Sequence, residues 1–283
     1  MQKRQLRIVK AQHTGFCFGV KRAIKIAEDI LKKNKKSCSI GSIIHNPAVV
    51  KDLSKRGLRV ISDIKDAKGS CLVIRSHGIS PRIRQEAKRL SIRMVDATCP
   101  FVKRSHDIVT SLKAEGYFIV IAGENNHPEV KALAEAAKGS CVIAAKILDL
   151  KKPEIKRRKK IAVVAQTTLS HAEFFKIVSS VLQENSHEYR VFDTICNDVT
   201  QRQSEAGLLA KKVDVILVVG GKNSANTKRL CRICKEAGAR TYHIEDDREI
   251  KHIWFRGKRS VGIVSGASTP QEIVERVVKR LKK

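Results

Sequence analysis

The 283-residue sequence contains no apolar run approaching the length of a membrane-spanning helix, which takes roughly 18–20 residues. Its start, Met1-Gln-Lys-Arg-Gln-Leu-Arg7, carries charge with no apolar segment behind it. No secretory signal is read there, and a cytoplasmic location with reduced thiols is expected. Aromatic residues make up only 4%, with one Trp and three Tyr. That is poor material for stacking bases and weighs against RNA or single-strand binding. Neither a P-loop nor a G-x-G-x-x-G is present, so nothing supports nucleotide binding. Acidic residues are scarce, 28 against 57 Lys and Arg, for a net charge of +29. Such a field attracts nucleic acid, anionic substrates or acidic proteins and says nothing about fold. Its densest stretch, Lys151 to Lys160, contains Pro153 and reads as a solvated loop between two apolar segments.

With 42% hydrophobic residues the chain is long enough to bury a core, as one large domain or two to three small ones. Apolar runs alternate with helical patterns throughout. Leu72-Val-Ile, Phe118 to Ala122, Ile161 to Ala165, Val215 to Val219 and Val261 to Val264 suit buried strands. Val20, Ala23, Ile24, Ala27, Ile30 and Leu31 mark one helix face. The alternation predicts an α/β fold with parallel sheets and functional loops at the carboxyl ends of strands.

Eight cysteines in a chain this long do not make a disulfide scaffold. Three of them mark an internal repeat. Asp96-Ala-Thr-Cys99 and Asp193-Thr-Ile-Cys196 each separate an apolar run from a helical one, as Cys17 does within Thr14 to Gly19. His45, His127 and Ser224 each lie 28 positions beyond their cysteine (17 to 45, 99 to 127, 196 to 224). Equal offsets predict three similar units of about 90 residues. A third loop closes each unit, at Ser76-His-Gly78, Gln166-Thr-Thr168 and Gly266-Ala-Ser268, with helix caps expected at Ser80, Ser170 and Thr269. The units run 15–98, 99–195 and 196–283, the last joined by a strand from 1–14, around a pseudo-threefold centre.

A helix N-terminus favours thiolate, the metal-binding form. Three thiolates without an obvious fourth suit either a zinc site lacking one ligand or an iron–sulfur cluster with one open iron. Cys38, Cys71 and Cys141 lead into strands and read as core. Cys231 and Cys234 form a C-x-x-C, but it lies in the helical pattern Thr227 to Ala237 and reads as packing. His45, His77 and His127 occupy loops where imidazoles can hold phosphate oxygens, and Ser224, Asn226 and Ser268 add hydrogen-bonding groups. Glu129 follows His127-Pro128 in a first helical turn. It fits either a helix-dipole partner or a proton donor beside a metal.

The ordered segments GFCFGVKRAI, IHNPAVV, RSHGIS, DATCPFVKR, NHPEV, AQTTLS, DTICNDVTQRQ, GGKNSANTKRL and SGASTP span residues 15 to 270. Together they resemble the LytB/IspH family of 4-hydroxy-3-methylbut-2-enyl diphosphate reductases. The resemblance implies an iron–sulfur reductase making isopentenyl and dimethylallyl diphosphate, in the last step of the methylerythritol phosphate pathway of isoprene biosynthesis. It implies one [4Fe–4S] cluster on Cys17, Cys99 and Cys196 with one open iron. His45, His77, His127, Ser224, Asn226 and Ser268 would hold the diphosphate, Thr167 the substrate hydroxyl, and Glu129 would carry the proton. Ala225 stands where some members have a second serine. An acidic electron donor, ferredoxin or flavodoxin, is the implied partner for the basic surface. A basic nucleic-acid binder with structural cysteines and a zinc hydrolase are the competing readings.

Overall fold

The computed structural model describes residues 6–33, 36–151, 155, 158–183 and 186–282. Of the basic run Lys151–Lys160, expected to be a loop, positions 152–154 and 156–157 lie outside the described residues. The strands in chain order are β1 (Arg7–Lys10), β2 (Ser37–Ile40), β3 (Leu58–Ile61), β4 (Cys71–Ile74), β5 (Met94–Asp96) and β6 (Phe118–Ala122). They continue with β7 (Cys141–Ala144), β8 (Lys160–Ala165), β9 (Glu188–Phe192), β10 (Val215–Val219), β11 (Arg240–Ile244) and β12 (Ser260–Ser265). The helices are α1 (Phe18–Lys33), α2 (Pro47–Lys55), α3 (Pro81–Arg89), α4 (Pro100–Ala114) and α5 (Pro128–Ala136). After them come α6 (His171–Val181), α7 (Asn197–Ala210), α8 (Ala225–Glu236) and α9 (Gln271–Leu281).

Among the described residues the strands form three four-stranded sheets, ordered β3-β2-β4-β5, β7-β6-β8-β9 and β11-β10-β12-β1. Every pairing is parallel. The three topologies are identical, with the N-terminal strand supplying the fourth place in the last sheet. Sequence alternation explains how each sheet is covered. In β6, Phe118, Val120 and Ala122 face Phe174, Ile177 and Val181 of α6. Ile119 and Ile121 face the other way, onto Val109 and Leu112 of α4 and Val130 and Leu133 of α5. In β10, Val215, Leu217 and Val219 pack on Ile273, Val274 and Val277 of α9. Ile216 and Val218 pack on Ala206 and Leu209 of α7 and Leu230 of α8. A strand buried on both faces reads as a continuous apolar run, because its period of two is hidden when neither face meets water.

The chain divides into two compact units. One comprises Met1–Lys21, His45–Ala48 and Asn197–Lys283 and holds the sheet of β10–β12 with β1; the other comprises Arg22–Ile44 and Val49–Cys196 and holds the two remaining sheets. Within the second unit, Glu135 of α5 accepts the Arg82 amide of α3 at 2.7 Å, tying helices of the two sheets together. Ser80 and Ser170 cap their helices as expected, accepting from the amides of Ile83 and Glu173. Thr269 does not cap α9: Pro270 holds that position, and the Thr269 hydroxyl donates to the Val219 carbonyl at 3.0 Å. A buried carbonyl at the end of β10 is the stronger claim on that proton. Among the described residues no helix is long and apolar enough to cross a membrane.

In two sheets the chain leaves its first strand toward one edge and its third toward the other, and in the last sheet the N-terminal β1 fills the corresponding edge beside β12. The loops after β2 and β4, β6 and β8, and β10 and β12 therefore flank a topological switch point, where open parallel sheets build ligand sites. Every expected site residue other than the cysteines lies in those loops or in the first turn of the helix after them.

Candidate active site

The cysteines follow the fourth strand of each sheet, and each is anchored in the same way. The amides of Cys17, Cys99 and Cys196 donate to the carbonyls of Ala267 (3.0 Å), Ser76 (2.9 Å) and Thr167 (2.9 Å), each in the loop after the third strand of the same sheet. The Asp three residues earlier shapes the turn: Asp96 Oδ1 accepts from the Thr98 amide and Asp193 Oδ1 from the Ile195 amide, both at 3.0 Å. Helix amides reach the sulfurs. Val20 N donates to Cys17 Sγ at 3.4 Å, and the amides of Phe101 and Val102 bond Cys99.

These amides do not make Cys99 acidic, contrary to the thiolate expected at a helix N-terminus. Burial pushes its thiol above the ordinary value, outweighing the pull of the two amides, with the charge of Glu129 adding to the rise. A bound cation reverses that balance by replacing the proton. All eight cysteines are free thiols, and these three are half-buried. Half-buried thiols at loops that aim amides at sulfur fit an iron–sulfur group bound by cysteine. Among the described residues, no three His, Cys, Asp or Glu side chains lie close enough together to hold a metal ion.

The C-x-x-C does not fit such a group. Cys234 is buried among Ala206, Leu209 and Leu230 and, with Cys231, lies on α8. Burial pushes the two thiols up to about 11 for Cys231 and about 12 for Cys234. Cys234→Ala is expected to cost about 1 kcal/mol of stability and to leave iron content unchanged; metal analysis with urea unfolding checks both.

In the second unit the Glu129 carboxylate is fully buried in the first turn of α5. Its Oε1 accepts from the Thr167 amide and its Oε2 from the Thr167 hydroxyl, both at 2.7 Å. Burial raises its pKa to about 7 against the opposing pull of those two bonds. Such a group exchanges a proton near neutrality, which a helix-dipole partner on a surface does not do.

The ring of His127 caps α5, its Nδ1 accepting the Glu129 amide at 3.3 Å. A neutral ring accepting at Nδ1 carries its proton on Nε2, which is then a donor. His77 meets His127 edge-on, with ring centroids 5.9 Å apart. The Ser76 hydroxyl donates to the Ile43 carbonyl at 3.1 Å, so in its 3.3 Å contact with His77 Nδ1 the ring is the donor. The two imidazoles thus hold opposite tautomers while neutral.

In the first unit the Ser224 hydroxyl accepts from the Thr227 amide at 3.3 Å and keeps its proton available. Ser268 donates to the His45 carbonyl at 3.1 Å. Gly221 admits that same carbonyl: a Cβ there would stand 2.8 Å from it. Asn226 is 4% exposed, yet neither its amide nitrogen nor its oxygen has a hydrogen-bond partner. Burying an amide without partners costs roughly 1–3 kcal/mol. Such a cost persists in a fold when a ligand supplies the missing bonds.

Sequence reasoning placed Gln166 in the third loop of its unit but gave it no role; it is completely buried and accepts the Glu124 amide at 2.9 Å. It packs where a Cβ on Gly123 would lie 2.8 Å from its own Cβ, and so sets the loop leading to His127. The signal available was a lone polar residue closing the apolar run of β8.

Three copies of one parallel sheet, each with a cysteine at the same junction, define the class, and comparison with known proteins makes it specific. The LytB protein family matches residues 8–282. 4-Hydroxy-3-methylbut-2-enyl diphosphate reductase of Syntrophotalea carbinolica is 43% identical over 277 residues, covering 98% of each chain. That of Aquifex aeolicus is 42% identical over 278 residues, covering 97% of this chain and 95% of the relative. A solved structure of (E)-4-hydroxy-3-methylbut-2-enyl diphosphate reductase, the terminal enzyme of the non-mevalonate pathway, matches with a TM-score of 0.71 at 41% identity, covering 98% of this chain and 99% of that one. The structure of the E-1-hydroxy-2-methyl-but-2-enyl-4-diphosphate reductase from Plasmodium falciparum matches at 0.92 and 30% identity, covering 99% and 89%. The chain belongs to the LytB family.

Proposed function

We propose that the chain reduces 4-hydroxy-3-methylbut-2-enyl diphosphate to isopentenyl and dimethylallyl diphosphate, with Cys17, Cys99 and Cys196 holding a [4Fe–4S] cluster. Reductase activity follows from membership of the LytB family at more than 40% identity over nearly the whole chain. Support for the particular residues comes from Glu129, a buried carboxyl with a pKa of about 7 hydrogen-bonded to Thr167. The anchoring repeated at the three cysteines supports the ligand set. The alternating sheets supply no such acid by default, since a buried unpaired carboxylate is costly.

The cluster, when bound, supplies electrons and an open coordination position for an oxygen ligand. The protein does the rest. In the net conversion the substrate takes up two electrons and two protons: its C–OH bond breaks, the oxygen leaves as water, a C–H bond forms, and the diphosphate is retained. Glu129 delivers a proton at Oε2, and Thr167 turns its hydroxyl toward the substrate hydroxyl. His127 donates from Nε2 to phosphate oxygens, and His45 and His77 add imidazoles. Ser224 and Asn226 hydrogen-bond the same diphosphate, with Asn226 gaining its missing partners, and Ser268 joins them by turning its hydroxyl from the His45 carbonyl. The repeats 15–98, 99–195 and 196–283 each bring one cysteine, and 1–14 completes the last sheet. The enzyme works in the cytoplasm with electrons from a ferredoxin or flavodoxin.

Anaerobic purification followed by iron, sulfide and zinc analysis and Mössbauer spectroscopy tests this. A four-iron cluster with one distinct iron responding to the diphosphate is expected. One zinc per chain in colourless protein would replace the reductase with a zinc hydrolase. A second test uses Asn226→Leu. Stability without substrate should rise by about 1–3 kcal/mol as the unpaired amide is removed. The KM for the diphosphate should rise about 10–100-fold through loss of a bond to a charged group. Unchanged values of both would remove Asn226 from the site.

A further inference from the structure

The three cysteine loops are not equivalent on their outer faces. Cys17 and Cys99 open the segments Cys-Phe-Gly-Val-Lys-Arg and Cys-Pro-Phe-Val-Lys-Arg, whereas Cys196 opens Cys-Asn-Asp-Val-Thr-Gln. The valine is common to all three and is buried each time, as Val20, Val102 and Val199. What differs is an exposed aromatic and a basic pair. Of eight phenylalanines, three are exposed among the described residues: Phe18 (63%), Phe101 (44%) and Phe175. Two of those three stand within two positions of an expected cluster ligand. Burial therefore holds the valine in all three segments, while the exposed phenylalanines and, at Cys99, the exposed Lys103 and Arg104 have no packing role to account for them.

At Cys99 the feature is complete within one unit. Phe101, Lys103 and Arg104 are all exposed on the first two turns of α4, and neither cation forms an ion pair among the described residues. The single acid of that helix is Asp107, one turn further on. Arg22, the counterpart of Arg104, is otherwise engaged: it donates to the carbonyls of Thr98 (3.0 Å) and Asp96 (3.4 Å) and so braces the loop before Cys99. Arg104 is left free for an outside partner. A bare aromatic beside two unpaired cations is the composition of an interface anchor with a charged rim, and in a chain of net charge +29 it selects an acidic partner.

We propose that the start of α4, at Phe101, Lys103 and Arg104, is the docking surface for the protein that delivers electrons: a small redox protein with an acidic rim around its own cofactor. This rests on the reductase reading, which makes Cys99 a cluster ligand and so places the docked partner next to the group it must reduce. The two electrons consumed per substrate arrive one at a time, from two successive dockings of a reduced partner that is oxidised by one electron at each. The two protons come from the active site and solvent, and the hydroxyl leaves as water. Lys103 and Arg104 steer the partner, and Phe101 is covered when it docks.

The test uses anaerobic, cluster-loaded full-length protein assayed with two reductants, an acidic ferredoxin or flavodoxin and a chemically reduced viologen. Lys103→Glu/Arg104→Glu should lower kcat/KM with the protein donor about 10–100-fold at low ionic strength, the range of electrostatic steering. The deficit should shrink as salt rises and screens the charges. Phe101→Ala should lower it without that salt dependence. Iron content and viologen-driven turnover should match wild type in both variants. Wild-type kcat/KM with the protein donor in both variants would overturn the proposal. Equal losses with both reductants would also overturn it, by making these residues supports of the cluster loop. If the wild-type protein itself reduces no diphosphate with viologen, the reductase reading fails before the docking question arises.

Discussion

Replacing Glu129 by glutamine is expected to lower turnover about 10²–10⁴-fold, the usual contribution of a positioned general acid, while iron content remains that of wild type. The substitution suits the site because glutamine copies the protonated acid: its oxygen can accept the Thr167 amide and its NH2 can donate to the Thr167 hydroxyl. Geometry is kept and only the transferable proton is lost. The buried carboxyl, held at about 7 instead of an ordinary 4.5, also gives the pH dependence a sign. Protonated Glu129 is the competent form, so wild-type kcat/KM should fall by one proton's slope as pH rises through about 7. Stability should move the same way. The folded state holds this proton more tightly than the unfolded chain, so its contribution is complete below pH 4.5 and is lost as pH rises through 7. The full loss is about 3 kcal/mol by linkage. Glutamine has no proton to lose, so wild type should weaken relative to Glu129→Gln as pH rises from about 4.5 to about 7, and the difference should level off above that. Urea midpoints of both proteins across pH 5 to 8, with single-turnover rates, measure the two effects. Wild-type rates in the variant would remove Glu129 from the chemistry, and parallel stability profiles would mean that it stays ionised when buried.

How much of this was legible beforehand depends on whether a residue answers to one neighbour or to several. The central strands were readable because burial on both faces leaves a continuous apolar run, as in Phe118 to Ala122. The repeat was readable because three sheets of one topology preserve the cysteine-to-second-loop spacing of 28 residues. Thr269 misled because a threonine before a helix has two uses for its hydroxyl, and only the fold brings the Val219 carbonyl within reach. The acidity of Cys99 misled for a related reason. Helix amides near a sulfur can be inferred from local sequence, whereas the burial that outweighs them comes from the packing of the whole unit. Asn226 was nominated by its position, yet the observation that argues for a ligand, two amide atoms without partners, exists only once every neighbour is placed. The arginine pair of the repeat is a further instance. Arg22 and Arg104 are equivalent in sequence, but one braces the Thr98 loop and the other faces solvent.

Cys99→Ser should abolish cluster assembly, and with it turnover, by more than the about 10–100-fold that loss of an outer partner of a metal ligand costs. The oxygen of serine is too weak an acid and too hard a donor to replace a thiolate on iron, and two remaining cysteines leave half of a four-iron cluster's corners unheld. The fold should survive. Cys99 is half-buried, its backbone bond to Ser76 does not involve the side chain, and serine is a good residue at a helix start. Cys71 offers the converse. It opens β4, is buried, and has its thiol pushed up by burial. Cys71→Ser should therefore destabilise the protein through a buried hydroxyl and leave iron per folded chain intact. Reconstituting both variants anaerobically, and measuring iron and sulfide beside far-ultraviolet circular dichroism, separates ligand from core. Full iron in Cys99→Ser would mean that the cluster is held elsewhere. The same loss of iron in both variants would mean that assembly reports only on folding, and the anchoring shared by Cys17, Cys99 and Cys196 would then describe a turn and not a metal site.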